Sequence, residues 1–254
     1  MVLDHPGESA MRILALCATA LWGMLALAAS AQPLTVVTEE YPPYNHLDEN
    51  RQVVGLSTEV VKEVLRRAKL PYRINLYPWA RAYHLAQNQP NVLIYSIGRN
   101  SQREAMFQWV DVIAPYNVFL YRLKSRPEVQ VQRIDELTRF RVGAVRDDVR
   151  AQYLEKIGIP ADLVVDDSAN AKKLASGRID MFPIDEIAMA ALYRREGMDP
   201  NSVEKALALP DLSSGLYMAF SLQTAPDIVE RCRTALRDMR RDGTLEKIKA
   251  AYLH

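Results

Sequence analysis

The feature that most restricts the fold of this chain is an alternation of strand-like and helix-like segments, run through twice. Leu34-Thr-Val-Val-Thr38 reads as a strand and is followed by the turn-rich Tyr41-Pro-Pro-Tyr-Asn45; Val60, Val61, Val64, Leu65 and Ala68 then recur at helical spacing. Tyr72 to Tyr77 is predicted as the next strand, Trp79 to Gln87 as the next helix, and Val92-Leu-Ile-Tyr-Ser96 as a continuous apolar strand of the kind buried inside a parallel sheet. A second series begins after Pro115, with strands predicted at Phe140–Val145, Leu163–Val165 and Ile179–Phe182 and helices at Val149–Ile157, Ala169–Ala175 and Glu186–Tyr193. A further strand, Leu216–Phe220, and two terminal helices, Asp227–Arg240 and Thr244–Tyr252, could complete either series. Such alternation implies an α/β protein with parallel strands, and two series imply two lobes.

Composition narrows the function. The 254 residues are 49% hydrophobic and 25% charged, with 32 basic against 31 acidic side chains, which suits a folded domain and lacks the basic excess that neutralises phosphates in a nucleic-acid binder. The ten glycines never come closer than fifteen residues, so neither a P-loop nor a dinucleotide fingerprint can be written. Four scattered histidines and two cysteines form no metal-ligand pattern, and no cofactor is implied.

Arg12, the apolar stretch Ile13–Ala29 and the small residues Ala29-Ser30-Ala31 have the layout of a cleaved export signal over residues 1–31. Asp4 and Glu8 do not suit a signal's basic start, so residues 1–10 read as an over-extended start with Met11 as the better one. The mature chain then keeps one cysteine, Cys232, on a helical stripe with Val229, Leu236 and Met239, where a buried thiol is the natural reading.

Candidate binding residues cluster at the C-terminal ends of predicted strands, where open α/β sheets take ligands. Glu40, Tyr41 and Tyr44 follow the first strand, Trp79 and Arg81 the second, Arg99 and Arg103 the third, and Asp185 the strand ending at Phe182. A guanidinium for a carboxylate, a carboxylate for an ammonium and an aromatic wall are what a small zwitterion needs. Each residue also has an ordinary structural reading: a surface ion pair for Arg103, a helix N-cap for Asp185, a core aromatic for Trp79.

Tyr41-Pro-Pro-Tyr, Gly55, Arg103-Glu104, Gly177-Arg-Ile-Asp-Met-Phe-Pro-Ile-Asp185-Glu and Asp242-Gly-Thr-Leu-Glu-Lys-Ile248, in that order, resemble the bacterial extracellular solute-binding protein family 3, the periplasmic receptors of ABC-type amino-acid transporters. The resemblance implies a two-lobed, type II periplasmic-binding-protein-like fold hinged on two crossing strands, with residues 32–116 and 214–254 in lobe 1 and 117–213 in lobe 2. It further implies a monomeric receptor that delivers an amino acid or related solute to a membrane permease. The family's carboxylate clamp falls on Arg103, its ammonium ligand on Asp185 and its aromatic wall on Tyr41, with Trp79 near a second wall position. Two departures touch ligand-facing positions: Gly98, followed by Arg99, stands where the family has Ser or Thr, and Asp147-Asp148 where it has Gly-Thr. A periplasmic dehydratase on the same scaffold, with Glu40 or Asp148 as the acid, and a sensory module are the other readings.

Overall fold

The computed structural model describes residues 33–253; the expected signal segment, 1–31, lies outside them. Lobe 1 is built on a five-stranded sheet ordered β4-β1-β5-β12-β6, comprising β1 (Leu34–Thr38), β4 (Tyr72–Leu76), β5 (Val92–Gly98), β6 (Phe107–Ala114) and β12 (Leu216–Ser221). All seven residues of β5 are buried, as expected of an uninterrupted apolar run at the centre of a sheet. Short strands β2 (His46–Leu47) and β3 (Val53–Val54) form a hairpin ahead of the first helix. Helices α1 (Leu56–Arg67), α2 (Trp79–Asn88), α6 (Pro226–Arg241) and α7 (Thr244–Ala250) complete the lobe. Helix α6 presents Val229, Cys232, Leu236 and Met239 to the core, so the cysteine is a buried helix-face thiol.

Lobe 2 carries β7 (Val118–Leu123), β8 (Val142–Val145), β9 (Ala161–Val164), β10 (Phe182–Asp185) and β11 (Val203–Ala208), with helices α3 (Val149–Lys156), α4 (Asp167–Ala175) and α5 (Glu186–Arg195). Strands β10-β7-β11 form one sheet and β8-β9 another, linked by a parallel bridge from Val142 to Met181. The chain crosses between the lobes twice, from β6 to β7 and from β11 to β12, and Leu209 N donates to Val118 O at 2.9 Å beside the crossing.

The sheets depart from the all-parallel expectation. Strands β1, β4 and β5 are parallel, but β12 runs antiparallel to both β5 and β6, and β7 is antiparallel to β10 and β11. Strands β6, β7 and β11 are additions to the sequence reading. Polar residues interrupt each of them (Gln108 and Asp111, Arg122, Glu204 and Lys205), so none shows the continuous apolar run that marks β5. The strand expected at Ile179–Phe182 lies three residues later, because Asp180 turns the chain: its carboxylate accepts from Arg141 N at 2.8 Å and pairs with Arg126 and Arg141.

Candidate functional site

The site is assembled where strand ends of the two lobes meet. Asn100 shapes the loop after β5 by accepting Arg103 N on both its side chain (2.9 Å) and its carbonyl (3.2 Å), which turns the Arg103 side chain back toward Gly98. The fully buried guanidinium donates to Gly98 O at 2.9 Å in its own lobe, and to Asp147 O at 2.7 Å and Gln152 Oε1 at 3.1 Å in lobe 2. It lies over the rings of Tyr83 (4.8 Å) and Trp79 (5.4 Å). Among the described residues no carboxylate forms an ion pair with it, and burial lowers its pKa. Its charge is thus met by neutral oxygens and aromatic faces rather than by a counter-ion.

Asp147 explains how lobe 2 meets this group. Its backbone is left-handed, with φ 60°, a conformation that Asp and Asn tolerate better than most residues, and this sets its carbonyl toward lobe 1. Trp79 Nε1 donates to the same carbonyl at 2.9 Å, so Trp79 is at once a buried core ring, stacked on Tyr83, and a link between the lobes. The next residue, Asp148, caps α3 by accepting from Arg150 N at 2.9 Å and also receives Arg150 Nε at 2.5 Å.

Asp185 ends β10 and caps α5. Its Oδ1 accepts from Ile187 N (2.9 Å), Ala188 N (3.0 Å) and the Tyr44 hydroxyl (2.9 Å), and its Oδ2 from Asn117 N (2.8 Å). Four donors match the roughly four lone-pair positions of a carboxylate. Tyr44 therefore reaches across from lobe 1 to the carboxylate, while Tyr41, stacked on Tyr44 at 5.6 Å, accepts from Asp185 N at 3.4 Å. Burial raises the Asp185 pKa against the pull of these hydrogen bonds.

Glu40 pairs with Arg195 of lobe 2 at 2.7 Å. With Glu39, Leu76, Tyr77, Pro78, Trp79, Val165 and Asp166 it lines a 220 Å³ cavity between the lobes. Two of the sequence candidates have their partners elsewhere. Arg99 pairs with Glu104 at 2.6 Å and lies over Trp109, and Arg81 packs its guanidinium on the Tyr77 ring at 4.1 Å.

Three further charged groups lie here, none of them among the binding candidates named from the sequence. Arg150 is buried, chelates Asp167 through Nη1 (3.2 Å) and Nη2 (2.9 Å), donates to Pro183 O and lies 5.6 Å over the Tyr41 ring. Asp167 is equally buried, and Glu39 is 6% exposed. An arginine inside a helix carries no sequence mark of burial; the adjacent Asp147-Asp148 was the available signal.

The fold agrees with that of known proteins. By shape it is similar to an ancestral arginine-binding protein bound to arginine (TM-score 0.75, 19% identity, 87% of this chain and 98% of that one covered). It is also similar to the arginine-, lysine-, histidine-binding protein ArtJ from the thermophilic bacterium Geobacillus stearothermophilus (TM-score 0.74, 16% identity, covering 87% and 95%). A histidine kinase sensor domain with similarity to periplasmic binding proteins matches with TM-score 0.76 at 16% identity over 87% of this chain and 96% of that one. No curated protein matches in sequence. The family model of bacterial extracellular solute-binding proteins, family 3, matches residues 34–254, and the chain belongs to that family.

Proposed function

We propose that this chain is an exported receptor that captures a small polar solute, an amino acid or related zwitterion, and presents it to the membrane permease of an ABC-type transporter. The observation that carries this reading is Arg103: a buried guanidinium with no ion-pair partner among the described residues, gripping both lobes through neutral oxygens. In this reading the solute's carboxylate takes the guanidinium, Trp79, Tyr41 and Tyr44 wall the cleft, and Asp185 takes the ammonium in exchange for one of its present donors. Binding stabilises the closed arrangement as lobe 1 (32–116 and 214–254) turns against lobe 2 (117–213) about the two crossing segments. Removal of the signal at 1–31 would release the receptor to the periplasm, where it acts as a monomer. Glu40 and Asp148, the candidate acids for a dehydratase, are each tied to an arginine, which supports binding over turnover.

Isothermal calorimetry across a panel of amino acids and small organic acids tests the proposal. At least one carboxylate-bearing solute is expected to bind, and Arg103→Ala is expected to abolish the heat. Affinity unchanged by that substitution would remove Arg103 from the site, and a panel without any ligand would sink the receptor reading.

A further inference from the structure

Glu39 directly follows β1, with its side chain buried at the junction of the lobes, 6% exposed and bordering the 220 Å³ cavity. Of the buried carboxyl groups there, it alone receives no hydrogen bond from any described residue. Asp148 has the Arg150 Nε and backbone N, Asp167 has two guanidinium N–H groups and Asn170 Nδ2, and Asp185 has its four donors. Half-buried Glu40, next to it in sequence, is paired with Arg195 and accepts from Leu47 N.

The charges that face Glu39 come from two elements of lobe 2. The cap and first turn of α3 supply Asp148 and Arg150; the cap and first turn of α4 supply Asp166 and Asp167. Three carboxylates thus oppose it, with a single guanidinium already shared by two of them. Parting the lobes would return Glu39 to water and to ordinary ionisation. Bringing them together removes most of its water, leaving it 6% exposed, and supplies no donor among the described residues, an environment that disfavours an ionised carboxylate.

We infer that closing the cleft takes up one proton, on Glu39, so that acid favours the closed receptor. The inference rests on the two-lobed receptor reading and adds a regulation to it. Burial first, then Asp148 and Asp167, push the Glu39 pKa well above its usual value, which agrees with the geometry. The sign follows from linkage. A group whose pKa is raised in one state favours that state fully below its ordinary pKa, about 4.3 for Glu, and the effect is lost as pH rises through the raised value. Between those limits the closed-to-open ratio changes about tenfold per pH unit for one proton.

Small-angle X-ray scattering of the purified protein without added solute, from pH 8 to pH 5, reads the ratio as a change in radius of gyration. Compaction on acidification is expected for the wild type. Glu39→Gln, uncharged and of the same shape, is expected to be compact and flat across the range. Glu39→Ala, which also lacks the charge, is expected to be flat and gives the same reading should the glutamine variant not fold. A flat wild-type profile, or a variant that retains the wild-type slope, overturns the proposal. A solute panel without any ligand would sink the receptor reading and leave the profile intact, so the two failures are distinguishable.

Discussion

Gly98 and Val149 offer a sharp test of how the lobes fit together. A Cβ placed on Gly98 would meet Val149 Cγ1 at 2.7 Å and Val149 Cβ at 3.2 Å, across the lobe junction. Carbon atoms pack at about 3.5–4.0 Å, so Gly98→Ala requires roughly 1 Å of separation at the point where Arg103 also donates to Gly98 O and Asp147 O. Gly98 does not sit in the left-handed region, so the added methyl strains the contact rather than its own backbone. Overpacking of this kind costs roughly 1–3 kcal/mol, and here only in the closed arrangement. The expected result is therefore a loss of solute affinity of about 5- to 150-fold, measured by calorimetry, with little change in thermal stability. Val149→Ala removes the opposing methyl groups and is expected to restore most of the loss in the double variant. Undiminished affinity in Gly98→Ala, or no coupling between the two substitutions, would refute the packing argument.

Three further outcomes follow from the same contacts. Asp185→Ala strips the cap from α5 and leaves Asn117 N without its acceptor; a loss of about 1–2 kcal/mol in urea unfolding is expected, alongside any effect on binding. Arg150→Met leaves Asp148 and Asp167 buried without their counter-ion and is expected to cost about 3–5 kcal/mol near neutral pH. That cost should shrink as acid protonates the two carboxyls, so urea melts at pH 7 and pH 5 should converge on the wild type. Burial pushes the Cys232 thiol up to about 12, and a thiol reagent at pH 8 is expected to leave it unmodified until the chain is unfolded.

The legible part of the fold is its helices and buried parallel strands, whose apolar periodicity survives in short windows: β5, α1 and the Cys232 stripe of α6 all lie where their spacing put them. The illegible part is antiparallel. Strands β6 and β7 carry polar residues on their less buried positions, and their partners return from far along the chain, β12 for β6 and β10 and β11 for β7, which no local pattern encodes. The site divides the same way. Arg103, Tyr44, Trp79 and Glu40 could be listed from strand ends, but their present partners could not, since each contact joins segments distant in sequence. Arg150 was harder to read: Asp148 lies two residues before it, but its burial depends on Asp167, seventeen residues on, which completes its ion pairing in space. Gly98 stood out as a departure from its family, and the structure supplies the reason: Val149 occupies the space a side chain would need.

Mass spectrometry of small molecules released by denaturing natively purified protein tests the central claim most directly, because it does not depend on choosing the right panel. A carboxylate-bearing solute near one equivalent is expected from the wild type and none from Arg103→Ala. Equal release from both proteins, or a released molecule with no anionic group, would contradict a receptor built around that arginine.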